Sequence, residues 1–317
     1  MQLQRKSRGY CFTTRLRLLN TNPPSQPAPP PLIRSGTVYA VLAYTAWGLL
    51  PIYWKFFGQI PPAEVVSHRI IWSLVFLGGL LVLQHRQQEF MQLCGDRQRL
   101  GVLLATSLLL AFNWGLYVYG VNSDRVVETS LGYFINPLVS VLLGFVFLKE
   151  RLHLGQKLAV LLAAVGVANF IWHFGAVPWI ALALAGSFAV YGLLRKVVAV
   201  SPMVGLAMET LLIAPLALIL VGYWAATGSG HLGMGWPTLL LFMGAGIVTS
   251  MPLLWFNNAA KRMQLSTLGF FQYVAPSLQL LLGVFLYHEP FTATHAVTFG
   301  CIWLALALYS FIALRAK

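Results

Sequence analysis

Acidic side chains are nearly absent from this sequence. Asp and Glu together number eight among 317 residues, against 21 Lys and Arg, and charged residues of both signs make up only 9%. A soluble domain carries roughly 25% charged residues, so an ordinary water-soluble core is excluded. Cysteine is equally scarce, and Cys11, Cys94 and Cys301 have neither disulfide-framework nor metal-site spacing. The seven histidines (His68, His85, His153, His173, His231, His288 and His295) never fall into a metal-binding spacing, and His288-Glu289-Pro290 is not an H-E-x-x-H helix motif. No G-x-x-x-x-G-K-[ST] loop occurs, which excludes direct energising by ATP through such a loop. With no paired nucleophile and base at usable spacing, an enzyme is not expected, nor is a metal or cofactor.

What the sequence does have is apolar length. Hydrophobic residues reach 58% and mean hydropathy is +0.73, in runs of about 18 to 25 residues, where a spanning helix needs about 20. Barrel-type alternation is missing. The pattern predicts an all-α polytopic membrane protein with ten spans, at 37–57, 63–84, 100–121, 126–148, 154–173, 177–194, 204–225, 236–258, 265–287 and 294–314. With a cytoplasmic N-terminus, 18 of the 21 basic residues fall on one side of these spans, all but Lys55, Arg69 and Arg125. Basic loops stay in the cytoplasm, so both termini are expected there. The net charge of +13 therefore reads as topology, and no nucleic-acid partner is expected.

Residues 1–35 form a separate region: basic, free of Asp and Glu, and ending in the proline run Pro23 to Pro31. Disorder is expected there. It lacks the apolar stretch of a secretory signal, and it reads as a plain tail or an upstream start more readily than as a transit peptide.

The remainder repeats itself. Ser130-Leu131-Gly132-Tyr133-Phe134 with Pro137, Gly144 and Glu150 is matched by Thr267-Leu268-Gly269-Phe270-Phe271 with Pro276, Gly283 and Glu289. Pro, Gly and Glu recur at an offset of 139, while the upstream block recurs at 137. Trp47-Gly48-Leu49-Leu50 is echoed more weakly by Tyr191-Gly192-Leu193-Leu194. The expected domains are two five-helix repeats, 36–173 and 177–317. Five is odd, so the second repeat enters the membrane from the opposite side. Inverted repeats of this kind supply two gates around one midplane site.

Three blocks then carry a family resemblance: His68-Arg69-Ile70-Ile71-Trp72-Ser73, Ser130-Leu131-Gly132-Tyr133-Phe134-Ile135-Asn136-Pro137, and Ser266-Thr267-Leu268-Gly269-Phe270-Phe271-Gln272-Tyr273. Together they resemble the RarD proteins of the EamA group in the drug/metabolite transporter superfamily, over residues 36–315. The resemblance implies ten helices, a bacterial inner membrane and export of metabolites or drugs; the RarD name is associated with chloramphenicol sensitivity. Residues 1–35 do not match that family.

Ionisable groups inside hydrocarbon are functional candidates by default. Glu64, His68 and Trp72 share one helix face at i, i+4, i+8, beside Arg69, and that face is expected to line a cavity; the alternative is a surface pairing of Glu64 with His68 or Arg69. Glu209 sits seven residues after Pro202, as Arg69 does after Pro62, and reads either as a gate or substrate-ion group or as a structural partner of Arg195, Lys196 or Thr210. Asn113, Trp114 and Tyr117 interrupt the third span, and mid-span Asn needs a partner from a helix, a solute or water. Tyr133 and Asn136 beside Pro137, and Gln272 and Tyr273 before Pro276, put polar groups next to expected helix breaks in both halves, where a freed carbonyl is tolerated beside protein or a wet cavity. These breaks are the preferred site, against a reading as plain packing kinks. Glu150 and Glu289 read as interfacial anchors or gate latches, and Glu64 and Glu128, with Glu209 and His68, as proton-coupling candidates. The stripe Ala181, Ala185 and Ala189 suits packing within the chain or a homodimer.

The expected function is a secondary transporter of a small-molecule solute in the lipid bilayer, working by alternating access with a proton or counter-solute. The competing expectation is a membrane binding or scaffold protein that transports nothing.

Overall fold

The computed structural model describes residues 32–58, 60–123, 126–174, 178–286 and 293–315. Residues 1–31, all of Glu289 and the side chain of Glu128 lie outside the described residues, and so do the expectations that fall on them. The described residues are helical nearly throughout: α1 (Leu32–Lys55), α2 (Pro62–Leu83), α3 (Gln87–Cys94), α4 (Arg97–Asn122), α5 (Val126–Leu148), α6 (Leu154–Phe174), α7 (Trp179–Val197), α8 (Pro202–Thr227), α9 (Trp236–Arg262), α10 (Leu265–Phe271), α11 (Val274–Leu281) with a π-turn at Leu282–Leu286, and α12 (Ala293–Arg315). Without water in hydrocarbon, each backbone N–H and C=O must find its partner inside the segment, and a helix does this whatever its side chains. Nine described helical stretches are long and apolar enough to cross a membrane, and α12 adds the shorter apolar stretch Ala296–Tyr309. The protein is a polytopic all-α membrane protein.

Two sequence expectations are corrected, the disorder of residues 32–35 and the helix break beside Pro137; the interruption before Pro276 agrees with the one expected there. Helix α1 starts at Leu32, so residues 32–35 are helical and not disordered. A short polar helix, α3, occupies the loop after the second span. The ninth span is broken between α10 and α11 at Gln272 and Tyr273. Its counterpart α5 runs without interruption through Pro137. Gly269 is separated from Pro276 by two more residues than Gly132 is from Pro137. Gln272 and Tyr273 keep right-handed helical dihedrals, so the interruption lies in the backbone hydrogen-bond ladder one turn before Pro276, which has no N–H to donate.

The principal packed pairs are α9 with α1 and with α2, α4 with α7 and with α8, α5 with α7, α11 with α1, α2 with α8, α5 with α10, and α6 with α12. Exchanging each spanning helix of residues 32–174 with its counterpart in 179–315 leaves this set of pairs unchanged. Small residues bring α9 close to α2: a Cβ on Gly246 would collide with the backbone of Trp72 and Ser73, and Ser73 donates to the Gly246 carbonyl at 3.1 Å. The start of α1, the end of α7, the end of α9 and the start of α10 meet at one end of the bundle, where Gly36 abuts Arg262 and Met263, and Leu265 and Val198 share a buried cluster. This end is the terminal face, because α1 begins and α12 ends there.

Candidate functional site

Between the bundle's middle and the face opposite the termini lies a cavity of about 270 Å³. Helices from both halves wall it. From the first half come Trp47, Pro51 and Trp54 of α1, Arg69 of α2, Asn113, Trp114 and Tyr117 of α4, and Gly132, Tyr133 and Asn136 of α5. The second half supplies Leu184 and Phe188 of α7, Thr249 and Leu253 of α9, and Gln272, Ala275 and Gln279 of α10 and α11 with their junction. Tyr117 and Tyr133 face each other at 6.4 Å between ring centres and remain 40% and 42% exposed, which marks them as the rim.

Arg69 is the charged member of this wall among the described residues. Its guanidinium carbon lies 4.1 Å from the Trp114 ring centre and 5.6 Å from that of Trp54. Its buried Nε has no hydrogen-bond partner, and no described carboxylate pairs with it. The neutral polar residues are mostly engaged with protein. Asn113 donates to the Leu184 carbonyl at 2.9 Å and to Ser187 Oγ at 2.8 Å, so its partners are on α7. Gln272 donates to Ser140 Oγ at 3.1 Å, and Gln279 to the Trp47 carbonyl at 3.2 Å. Thr249 Oγ1 is buried with no protein partner.

An aromatic floor closes the cavity toward the terminal face. Trp47, Phe188, Tyr191 and Phe256 contact one another with ring centres 5.3–6.0 Å apart, and Tyr44 leans on Trp47 at 5.4 Å. Beneath the floor lies a charged network. Arg195, fully buried, approaches Glu209 at 3.6 Å and donates to the Pro202 carbonyl at 3.1 Å. Glu209 accepts from Thr106 at 2.5 Å; the Tyr191 hydroxyl accepts from Asn257 Nδ2 at 3.1 Å and has Glu209, at 3.5 Å, and Asn257 Oδ1, at 3.2 Å, as alternative acceptors for its one hydrogen. Gly205 makes the room, since any Cβ there would overlap the Arg195 guanidinium.

The terminal face is tied together across the two ends of α7 and α9. Lys196 donates to the Ala260 and Met263 carbonyls at the end of α9, and Lys261 donates to the Lys196 and Val198 carbonyls at the end of α7. Each lysine caps the other helix's C-terminus, where the helix dipole favours a cation. Glu150 reaches the start of α10, accepting from the backbone N–H of Leu265 at 2.7 Å and of Ser266 at 2.9 Å and from Ser266 Oγ at 2.5 Å. It passes over Gly144, where a Cβ would lie 2.6 Å from its Oε2. That gives the recurring Gly and Glu a physical reason in the first repeat: the glycine clears the path of the carboxylate.

Of the residues singled out by sequence, Arg69, Asn113, Trp114, Tyr117, Tyr133, Asn136 and Gln272 are brought together at the cavity. His68, Trp72, Glu209 and Tyr273 are not among its lining residues. The Glu64/His68/Trp72 face packs on α9 instead, because the small residues Ala245 and Gly246 admit it: His68 stacks on Phe242 at 4.0 Å. Glu64 accepts from the His231 backbone N–H and meets His231 Nδ1, both at 2.7 Å, and lies 3.9 Å from His68, so its nearest partners are histidines and not Arg69. Tyr273 donates to the Phe134 carbonyl at 3.2 Å, joining the two interrupting blocks of the repeat. Pro137 and Pro276 flank this contact, and the Pro137 carbonyl would touch a Cβ on Gly269. Sequence reasoning missed Tyr44, Trp47, Pro51 and Trp54. Their spacing of three and four residues is a helical stripe, which the aromatic content of a membrane span concealed. Among the described residues no group of three or more His, Cys, Asp or Glu could hold a metal.

A multi-pass helical bundle whose two halves jointly enclose a part-polar cavity has the build of a membrane transporter. The EamA-like transporter family model matches residues 34–172. A protein of Escherichia coli K12 called Protein RarD is 44% identical over 277 residues, 87% of this chain and 94% of that one. An uncharacterized transporter of Vibrio cholerae is 44% identical over 284 residues, 89% of this chain and 94% of that one. A solved crystal structure, 20% identical, aligns with a TM-score of 0.69 over 89% of this chain and 99% of its own, which shows a shared fold. The chain belongs to the RarD group of the EamA-like transporters.

Proposed function

We propose that this transporter is a secondary-active exporter of small organic solutes, working by alternating access between two inverted five-helix repeats, 36–173 and 177–317. The observation that carries this reading is the placement of the cavity. Walls from both halves surround it, a closed aromatic floor and the cross-capped helix ends lie on one side, and the exposed Tyr117/Tyr133 rim lies on the other. That asymmetry suits a state open away from the termini. With the termini in the cytoplasm of a bacterial cell and the protein in the inner membrane, as the basic-residue placement argues, the rim faces the periplasm.

Exchange of conformations then amounts to releasing the terminal face: Lys196 and Lys261 leave the carbonyls of α9 and α7, and Glu150 leaves the start of α10. The repeated packing pairs support an equivalent closure at the opposite end. Energy comes from a gradient or an exchanged solute, with Glu64, Glu128, Glu209 and His68 the proton-carrying candidates.

The test compares small molecules released by deletion and overexpression strains, with no substrate chosen beforehand. Export predicts at least one metabolite that accumulates outside overexpressing cells and falls in the deletion strain. Identical profiles would instead favour a membrane binding or scaffold protein. Uptake into everted vesicles indifferent to both pH gradient and membrane potential would remove gradient coupling.

A further inference from the structure

The chemistry of the cavity wall selects a charge type. Arg69 is its charged residue among those described, and no Asp or Glu lines it. A guanidinium presents five N–H donors in a planar fork. Here two indole faces hold the plane through cation–π contacts, which position the group without accepting its hydrogen bonds, and Nε is buried with no acceptor. No amide oxygen of the wall meets it either: Gln272 donates through Nε2 to Ser140, while its Oε1 is itself buried without a partner. The result is a cavity wall whose charged group is a single cation, with an Nε–H that has no protein acceptor.

We propose that the cavity is an anion site that takes a small organic monocarboxylate with an apolar or aromatic body, its carboxylate seated on the Arg69 fork. Carboxylate and guanidinium match geometrically, two N–H groups to two oxygens. A single negative charge neutralises the single positive one, whereas a dianion would leave a net charge buried and a cation would face Arg69 with no carboxylate to receive it. The remaining walls, Trp47, Trp54, Trp114 and Phe188, then cover the body of the solute. Size agrees with a compact ligand: 270 Å³ holds about nine waters at ~30 Å³ each, the room for a solute of roughly ten non-hydrogen atoms. This assignment rests on the reading of the cavity as the transport site.

The test uses the purified full chain and three probes of one shape: phenylacetate, phenylacetamide and phenethylammonium. Trp47, Trp54 and Trp114 report binding through intrinsic fluorescence. Phenylacetate is expected to bind at least tenfold more tightly than the amide, with the ammonium weakest. Arg69→Lys should keep the ranking with weaker binding, and Arg69→Gln should bring phenylacetate and phenylacetamide within about twofold. Equal or tighter binding of the amide or the ammonium by the unaltered protein overturns the proposal, whether or not the variants assemble. So does an anion preference that survives in a correctly assembled Arg69→Gln protein. Counterflow in proteoliposomes separates this proposal from transport itself. The anion ranking without counterflow would sink transport and leave the anion site standing; counterflow of the amide or ammonium at the rate of phenylacetate would sink the anion site and leave transport.

Discussion

Two arginines inside the bundle solve the same physical problem in opposite ways. Arg195 lies under the aromatic floor with no exposed surface, and the fold supplies its counter-charge: Glu209 at 3.6 Å, the Pro202 carbonyl, and a glycine at 205 that leaves room for the guanidinium. Arg69 lies above the floor against two indoles, and the fold supplies no carboxylate among the described residues. Isolated charge in a low-dielectric interior is costly, whichever element carries it. Both guanidiniums keep a buried Nε without a hydrogen-bond partner; what differs is the counter-charge, which one region supplies and the other leaves for something else to bring.

This contrast can be broken by mutation, and the effects are expected to fall in a definite order. Glu209→Gln leaves the Arg195 charge buried and unpaired, so thermal unfolding in detergent should show a loss of about 3–5 kcal/mol. Removing both charges, as Arg195→Met with Glu209→Leu, should recover most of it; if the double variant is as unstable as the single one, the pair is not the unit it is taken for. Gly205→Ala drives a methyl group into the guanidinium and should cost about 1–3 kcal/mol by overpacking, an effect that should shrink in the Arg195→Met background. Glu150→Gln weakens the cap on α10 and should cost about 0.5–2 kcal/mol, seen as earlier hydrogen exchange at Leu265 and Ser266. The smallest change, and the one that sharpens the comparison most, is Arg69→Gln: stability should shift by no more than about 0.5 kcal/mol and toward greater stability, because relief of a buried charge without a counter-charge is largely offset by loss of its cation–π contacts with Trp54 and Trp114. A loss as large as that of Glu209→Gln would make the two arginines alike after all.

Hydropathy and basic-residue placement made the spans legible because hydrocarbon imposes length and composition on every spanning helix. The polar cavity residues stood out for the same reason, since Asn113, Asn136, Gln272 and Arg69 interrupt runs that would otherwise be apolar. What stayed hidden was rotation. The face carrying Glu64, His68 and Trp72 was correctly seen as one face, but only packing decides whether a face meets a cavity or a neighbouring helix, and the small residues Ala245 and Gly246 on a distant span took it. Aromatic residues were ambiguous on the same grounds: Trp47 and Trp54 have the composition of a lipid belt, and it is the contact of α1 with α9 and α11 that turns them inward. Glu209 had two readings in sequence, and the contact with Arg195, one of the partners named there, comes from another helix and is visible only in the packing.

The interruption at Gln272 and Tyr273 has a consequence for symmetry. A protein made of two identical inverted halves would look the same from either side of the bilayer, and two end states exchanged by its two-fold axis would be equal in energy. Two additional residues before Pro276 remove that equivalence: one half carries a continuous rod and the other a jointed one. The two halves therefore differ at this joint, and under the alternating-access proposal the end states are expected to be unequally populated before any solute or gradient acts. A chain assembled from two copies of residues 36–173 would lose this bias along with the joint.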